Sequence, residues 1–209
     1  MFQEINLVLF LTTSLVVIVA PGPDNLLVLT RGISQGRKAA MVSAAGASVG
    51  LVCHSLFAAA GLSALLAQSA LAFAVVKYAG AAYLIYLGTK TLLSRQGFAV
   101  SGSERPIRLG SVFGQGVASN VMNPKIAVFF LAYLPQFAEP TTGSMAPQLL
   151  LLGLTFALLT WLIFNVLGYF SGSLGDKLVS RPRFSDAMRW LTGGVFIALG
   201  LRLALPERG

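Results

Sequence analysis

Pro21-Gly22-Pro23-Asp24-Asn25 interrupts the first long apolar segment of the chain, and Asn120-Val121-Met122-Asn123-Pro124-Lys125 interrupts the fourth. A proline inside a helix removes a backbone hydrogen bond, and its ring strikes the preceding turn. A charge at bilayer depth costs on the order of 3 kcal/mol by insertion scales. A chain that accepts both penalties at matching places in its two halves predicts a pair of broken helices meeting at a transport site. Pro21, Gly22, Pro23 and Pro124 are the expected points of fracture.

Composition sets the solvent. Of 209 residues, 56% are hydrophobic and 11% charged, with mean hydropathy +0.77. A soluble domain carries roughly 25% charged residues, so this chain could not wet its own surface. Its apolar blocks reach the ~20 residues that cross a bilayer. The sequence predicts an all-α integral membrane protein with six spans: Ile5–Thr30, Ala39–Leu66, Ala70–Leu93, Ser111–Phe137, Met145–Phe170 and Ala187–Leu205. The start, Met1-Phe2-Gln3-Glu4, has no Lys or Arg, so the first span does not read as a signal peptide.

The net charge of +8 invites a nucleic-acid reading, but the basic residues alternate between loops. Arg31, Arg37 and Lys38 follow span one. The loop after span three follows Lys90 and holds Arg95, Arg105 and Arg108, and the loop after span five holds Lys177, Arg181 and Arg183, with Arg189 just beyond. The intervening loops carry none. This is the positive-inside pattern, which predicts cytoplasmic loops one, three and five and both termini outside. Positive charge here points to anionic lipid rather than nucleic acid.

Spans three and six align without gaps at a shift of 112 residues: Lys77-Tyr78 on Arg189-Trp190, Ile85 on Ile197, Leu87-Gly88 on Leu199-Gly200, Lys90 on Arg202. Phe10 precedes Pro21 by eleven residues, and Phe113 precedes Pro124 by eleven. The expected organisation is one transport domain over 1–209: repeat one over 1–93, a polar cytoplasmic linker over 94–110, and repeat two over 111–209. Three spans per half place the repeats in opposite orientations. Gly46/Gly50, Gly110/Gly114 and Gly168/Gly172 have the spacing that lets helices approach closely in lipid. We read them as intramolecular packing, with a homodimer left open.

Asp24 is the one acid deep in the apolar segments, and Lys125 stands far from both ends of its span. Asp24 is the expected partner of Lys125 if the broken helices face each other. Asn25, Asn120 and Asn123 add amide donors and acceptors. Both signs of charge with several amides in an apolar setting suit a zwitterion. Lys125 and free half-helix N–H groups would hold a carboxylate, and Asp24 and amide oxygens an ammonium group. A permanent Asp24–Lys125 pair pinning the halves together is the structural alternative. Asp24, and less directly His54, are the groups able to carry a proton. Tyr83 and Trp161 lie deep enough in sequence to line a pathway. Cys53 stands alone, which excludes an internal disulfide. No nucleotide loop, metal cluster or acid/base constellation is present, so neither a cofactor nor an enzyme is expected.

At these residues the chain resembles the lysine-exporter (LysE) superfamily, in its threonine/homoserine efflux branch of RhtB type. The likeness rests on Pro21-Gly22-Pro23, the turn Gly32-Ile33-Ser34-Gln35-Gly36-Arg37, the run Lys77 to Gly88, and Phe113 through Lys125 followed by Phe129-Phe130. The resemblance implies a proton-driven exporter of amino acids in a bacterial inner membrane, without fixing the substrate. With one intramembrane acid, a neutral amino acid is favoured over a basic one. A passive facilitator, or a membrane subunit serving a partner protein, is the competing reading.

Overall fold

The first break falls where the amides run out. In the computed structural model, which describes residues 2–62, 69–93, 108–139, 144–171 and 182–205, helix α1 (Phe2–Val19) stops just before Pro21. Gly22 is extended (φ −154°, ψ −179°), and α2 (Pro23–Gln35) starts with proline at its first position. That position needs no N–H donor and suits the fixed φ of proline. The axes of the two half-helices differ by 54°.

The second break repeats the design. Helix α5 (Leu109–Val121) ends at Met122, and Asn123 caps α6 (Pro124–Val128) by accepting a hydrogen bond from the Lys125 amide at 3.0 Å. A wider π turn (Phe129–Tyr133) and a 3-10 turn (Leu134–Phe137) extend α6. Pro135 lacks the amide that a regular helix would need there. The bend across this break is 47°.

Between the two breaks run α3 (Arg37–Phe57), continued by a π turn over Ala58–Leu62, and α4 (Ala70–Leu93). Helices α7 (Met145–Phe170) and α8 (Pro182–Ala204) complete the chain. All described secondary structure is helical. Gly36, at φ 83°, alone among the described residues takes a positive φ, and it lets α2 turn directly into α3. By length and apolarity, three helices qualify as single membrane spans among the described residues, and the two bent pairs raise the number to five. Helix α8 is not among them. Most of the expected linker, with Arg95 and Arg105, lies outside the described residues, as do Gly172, Lys177 and Arg181.

Helix α3 is the central post, seated on α5 and α7 through small residues. Gly46 meets the Phe113 carbonyl and Gly116, and a methyl on Gly116 would stand 2.5 Å from the Ser43 carbonyl oxygen. A methyl on Gly168 would stand 2.9 Å from Ala40 Cβ. The expected Gly110/Gly114 pair plays no such part, since neither has a neighbour within 4 Å of an added methyl. Gly116 takes that role because it lies on the face turned toward α3.

Helices α4 and α8 run antiparallel, with contacts that interchange under the 112-residue shift. A methyl on Gly88 would lie 2.7 Å from Gly193 O and 2.7 Å from Ile197 Cγ1. A methyl on Gly200 would lie 2.8 Å from Ala81 O and 2.7 Å from Ile85 Cγ1.

The core beside the breaks is aromatic. Phe129 and Phe156 are 4.7 Å apart between ring centroids, Phe130 meets Phe156 edge-on at 5.7 Å, and Phe10 meets Phe137 at 5.4 Å. The outside of α7 is apolar: Leu151, Leu158, Leu162 and Val166 repeat at helical spacing and are all exposed. Such a face suits lipid, where apolar side chains lose nothing by facing outward. Trp161, expected near a pathway, turns outward with this face.

Candidate transport site

Pro23 and Pro124 open the second half-helix of each broken pair, so Asp24 and Lys125 occupy equivalent second positions. The structural register thus sets Pro23, rather than Pro21, opposite Pro124. Each of these charged residues reaches across to the other break.

Asp24 is 2% exposed. Its Oδ1 accepts from Ser119 Oγ at 2.8 Å, and its Oδ2 accepts from Asn120 Nδ2 at 2.8 Å and Asn123 Nδ2 at 2.9 Å. Two donors from the end of α5 and one from the cap of α6 therefore surround one carboxylate. Its place in the first turn of α2 adds the positive pole of that half-helix. A buried carboxylate needs such compensation, because desolvation alone disfavours its charge.

Lys125 is 5% exposed. Its Nζ donates to Val17 O at 3.2 Å and Ala20 O at 2.9 Å. These carbonyls lie at the end of α1, where the helix has no amides left to satisfy them. Asn25 Nδ2 donates to a third, Ile18 O, at 2.8 Å. Gly22 makes room for the lysine: a methyl there would stand 3.0 Å from Nζ.

The expected Asp24–Lys125 partnership is therefore not a direct contact. Among the described residues no ion pair joins them, and each charge answers the opposite pole of a broken helix. Sequence reasoning paired the two because their signs are opposite. It could not see that the ends of half-helices supply nearer partners.

Asn120 links the carboxylate to α3. A methyl on Gly50 would stand 2.8 Å from Asn120 Oδ1, so the glycine admits this side chain. His54 Nε2 lies 3.3 Å from the Asn120 carbonyl oxygen, and its ring centroid is 5.5 Å from that of Phe130. His54 thus borders the site without touching Asp24. Two acceptors, Asn25 Oδ1 and Asn120 Oδ1, are buried without a hydrogen-bond partner among the described residues, and so is the Tyr133 hydroxyl. Buried acceptors of this kind are costly unless something supplies a donor.

Sequence reasoning missed Ser119 and Tyr133. Serine beside Asn120 was the available signal for the first. The π turn that carries Tyr133 inward left no sequence signal beyond Pro135.

A sequence model described as LysE type translocator matches residues 15–207. The chain belongs to the LysE type translocator family. Among this family member's relatives, an uncharacterized membrane protein of Vibrio cholerae serotype O1 is 32% identical over 95% of this chain and 96% of its own length. A homoserine/homoserine lactone efflux protein of Salmonella typhimurium is 31% identical, covering 93% of this chain and 94% of its own. A leucine efflux protein of Enterobacter sp. (strain 638) is 28% identical, covering 97% of each. No solved structure matches this LysE family chain. The names agree with the RhtB-type branch indicated by the sequence motifs.

Proposed function

We propose that this LysE family protein is a secondary active exporter of amino acids across the bacterial inner membrane. It works by proton-coupled alternating access, with a preference for neutral substrates. The observation that carries this reading is the buried carboxylate of Asp24, held by Ser119, Asn120 and Asn123 at the junction of two broken helices. A group so placed meets solvent only when those donors part, which ties its access to helix movement. His54, beside the Asn120 carbonyl, is a second proton-bearing group at the same junction.

The substrate reading rests on the chemistry left unused. Lys125 has three donors, two of them engaged by Val17 and Ala20. Among the described residues the third meets no acceptor, which leaves it for a carboxylate. Asn25 Oδ1 and Asn120 Oδ1 are acceptors in want of an ammonium group. One acid at the site favours neutral amino acids, as do relatives named for homoserine and leucine efflux.

Inverted three-helix repeats supply the two alternating conformations. The interchange of Gly88 with Gly200 along α4 and α8 supports that symmetry. The basic loops support termini outside and α8 as the sixth span.

Flux of labelled threonine, homoserine and leucine from proteoliposomes, under imposed pH gradients, tests the reading. Export driven by the gradient is the expected result. Flux indifferent to the gradient would identify a passive facilitator, and no flux would remove the function.

A further inference from the structure

Helix α2 carries a second charge that the site chemistry does not use. Arg31 lies seven residues beyond Asp24, close to two full helical turns, so both side chains share one face. Both reach α5: Asp24 toward Ser119 and Asn120, Arg31 toward Gln115. Together they form a polar seam running from the break toward the Gly36 turn and the start of α5.

Arg31 is half-buried, and among the described residues it has no acidic partner. Its Nη1 donates to Gln35 Oε1 at 2.9 Å, and its Nη2 donates to Gln115 Oε1. Gln115 is anchored in turn, its Nε2 donating to Ser111 Oγ at 3.2 Å. Two neutral amide oxygens, one from each half-helix, thus occupy the pair of terminal nitrogens that a carboxylate would take with its own two oxygens. A carboxylate matches the planar fork with two oxygens and adds the opposite charge that the amide oxygens lack, so it is the preferred occupant.

We propose that Arg31 is a carboxylate-binding subsite at the Gly36 end of the α2–α5 seam, where the α-carboxylate of an amino acid displaces the oxygens of Gln35 and Gln115 on its way to the break. The ligand class is a small carboxylate bearing an adjacent ammonium group. Displacing Gln115 also cuts one of the cross-links between α2 and α5, so recognition loosens the seam it must pass. The inference rests on the exporter reading above and adds the group that selects the substrate at that face.

The test uses the full chain in inside-out and right-side-out vesicles, with L-leucine and L-threonine as substrates. Their carboxamides, leucinamide and threoninamide, serve as competitors that keep the ammonium and lose the carboxylate. Wild type is expected to favour acid over amide by about ten- to a hundredfold at the face bearing Lys38, the range expected for losing a charged hydrogen-bonded contact. Arg31→Gln is expected to shrink that preference at that face to what Lys125 alone supplies. An unchanged acid-to-amide ratio in Arg31→Gln overturns the inference while leaving the exporter reading intact. Gln115→Leu keeps the guanidinium and removes one of its two competitors, so the apparent KM for the amino acid at that face is expected to fall. An unchanged KM there also counts against the subsite. Wild-type vesicles that move neither amino acid remove the exporter reading, and this inference with it.

Discussion

Lys125 Nζ donates to the carbonyl oxygen of Ala20 at 2.9 Å, so a residue of the second half of the chain closes the open end of the first half's broken helix. The contact satisfies a carbonyl that has no water to turn to at bilayer depth. It also places an ammonium group at the negative pole of α1, which eases the cost of burying it.

Removing that ammonium should unfasten the first break. Lys125→Met is expected to leave Val17 O and Ala20 O unsatisfied, at about 1–3 kcal/mol for each buried acceptor. A lower thermal unfolding midpoint in detergent, together with lost transport, is the expected result. A variant as stable as wild type would show that α1 ends without help from Lys125. Gly22→Ala should injure the same place more mildly, because its methyl would press on Nζ from 3.0 Å.

Neutralising the carboxylate should separate transport from the proton gradient. Asp24→Asn presents an amide where Asn120 Nδ2 and Asn123 Nδ2 both expect an acceptor. Efflux from vesicles is expected to lose its response to an imposed pH gradient while the protein still inserts. A variant whose efflux still follows the gradient would take Asp24 out of the coupling step.

Two glycines of the α3–α5 pair should behave in opposite ways. Gly50→Ala forces a methyl to 2.7 Å from Asn120 Cβ, and overpacking of this kind costs typically about 1–3 kcal/mol. It should also displace Asn120 from Asp24 and lower transport. Gly114→Ala meets nothing within 4 Å and gains helix propensity of up to ~1 kcal/mol. Equal unfolding temperatures for the two variants would contradict the packing of α3 on α5.

Orientation can be read with two single cysteines in a Cys53→Ala background. Lys38→Cys is expected to react with a membrane-impermeant thiol reagent only from the cytoplasmic face, and Ser144→Cys only from the opposite face. Reaction of both from one side would overturn the charge-based topology.

The breaks were legible because proline and charge have no innocent reason to sit inside an apolar run. Their register was less legible. Counting from Phe10 and Phe113 set Pro21 opposite Pro124, whereas the extended Gly22 moves the start of α2 to Pro23. The gathering of Asp24, Asn120 and Asn123 could be anticipated from polarity alone, since polar groups in lipid seek one another. The partners of Lys125 could not, because they are backbone carbonyls and every residue has one. Trp161 illustrates another limit: depth along a helix says nothing about which face a side chain takes.

The exchange of neighbours between Gly88 and Gly200 carries a genetic corollary. A lesion at either position should phenocopy the other, although the two codons lie more than a hundred triplets apart in the reading frame. Second-site suppressors selected against one are then expected to map around Ala81 and Ile85 or around Gly193 and Ile197, as alternating images of a single joint.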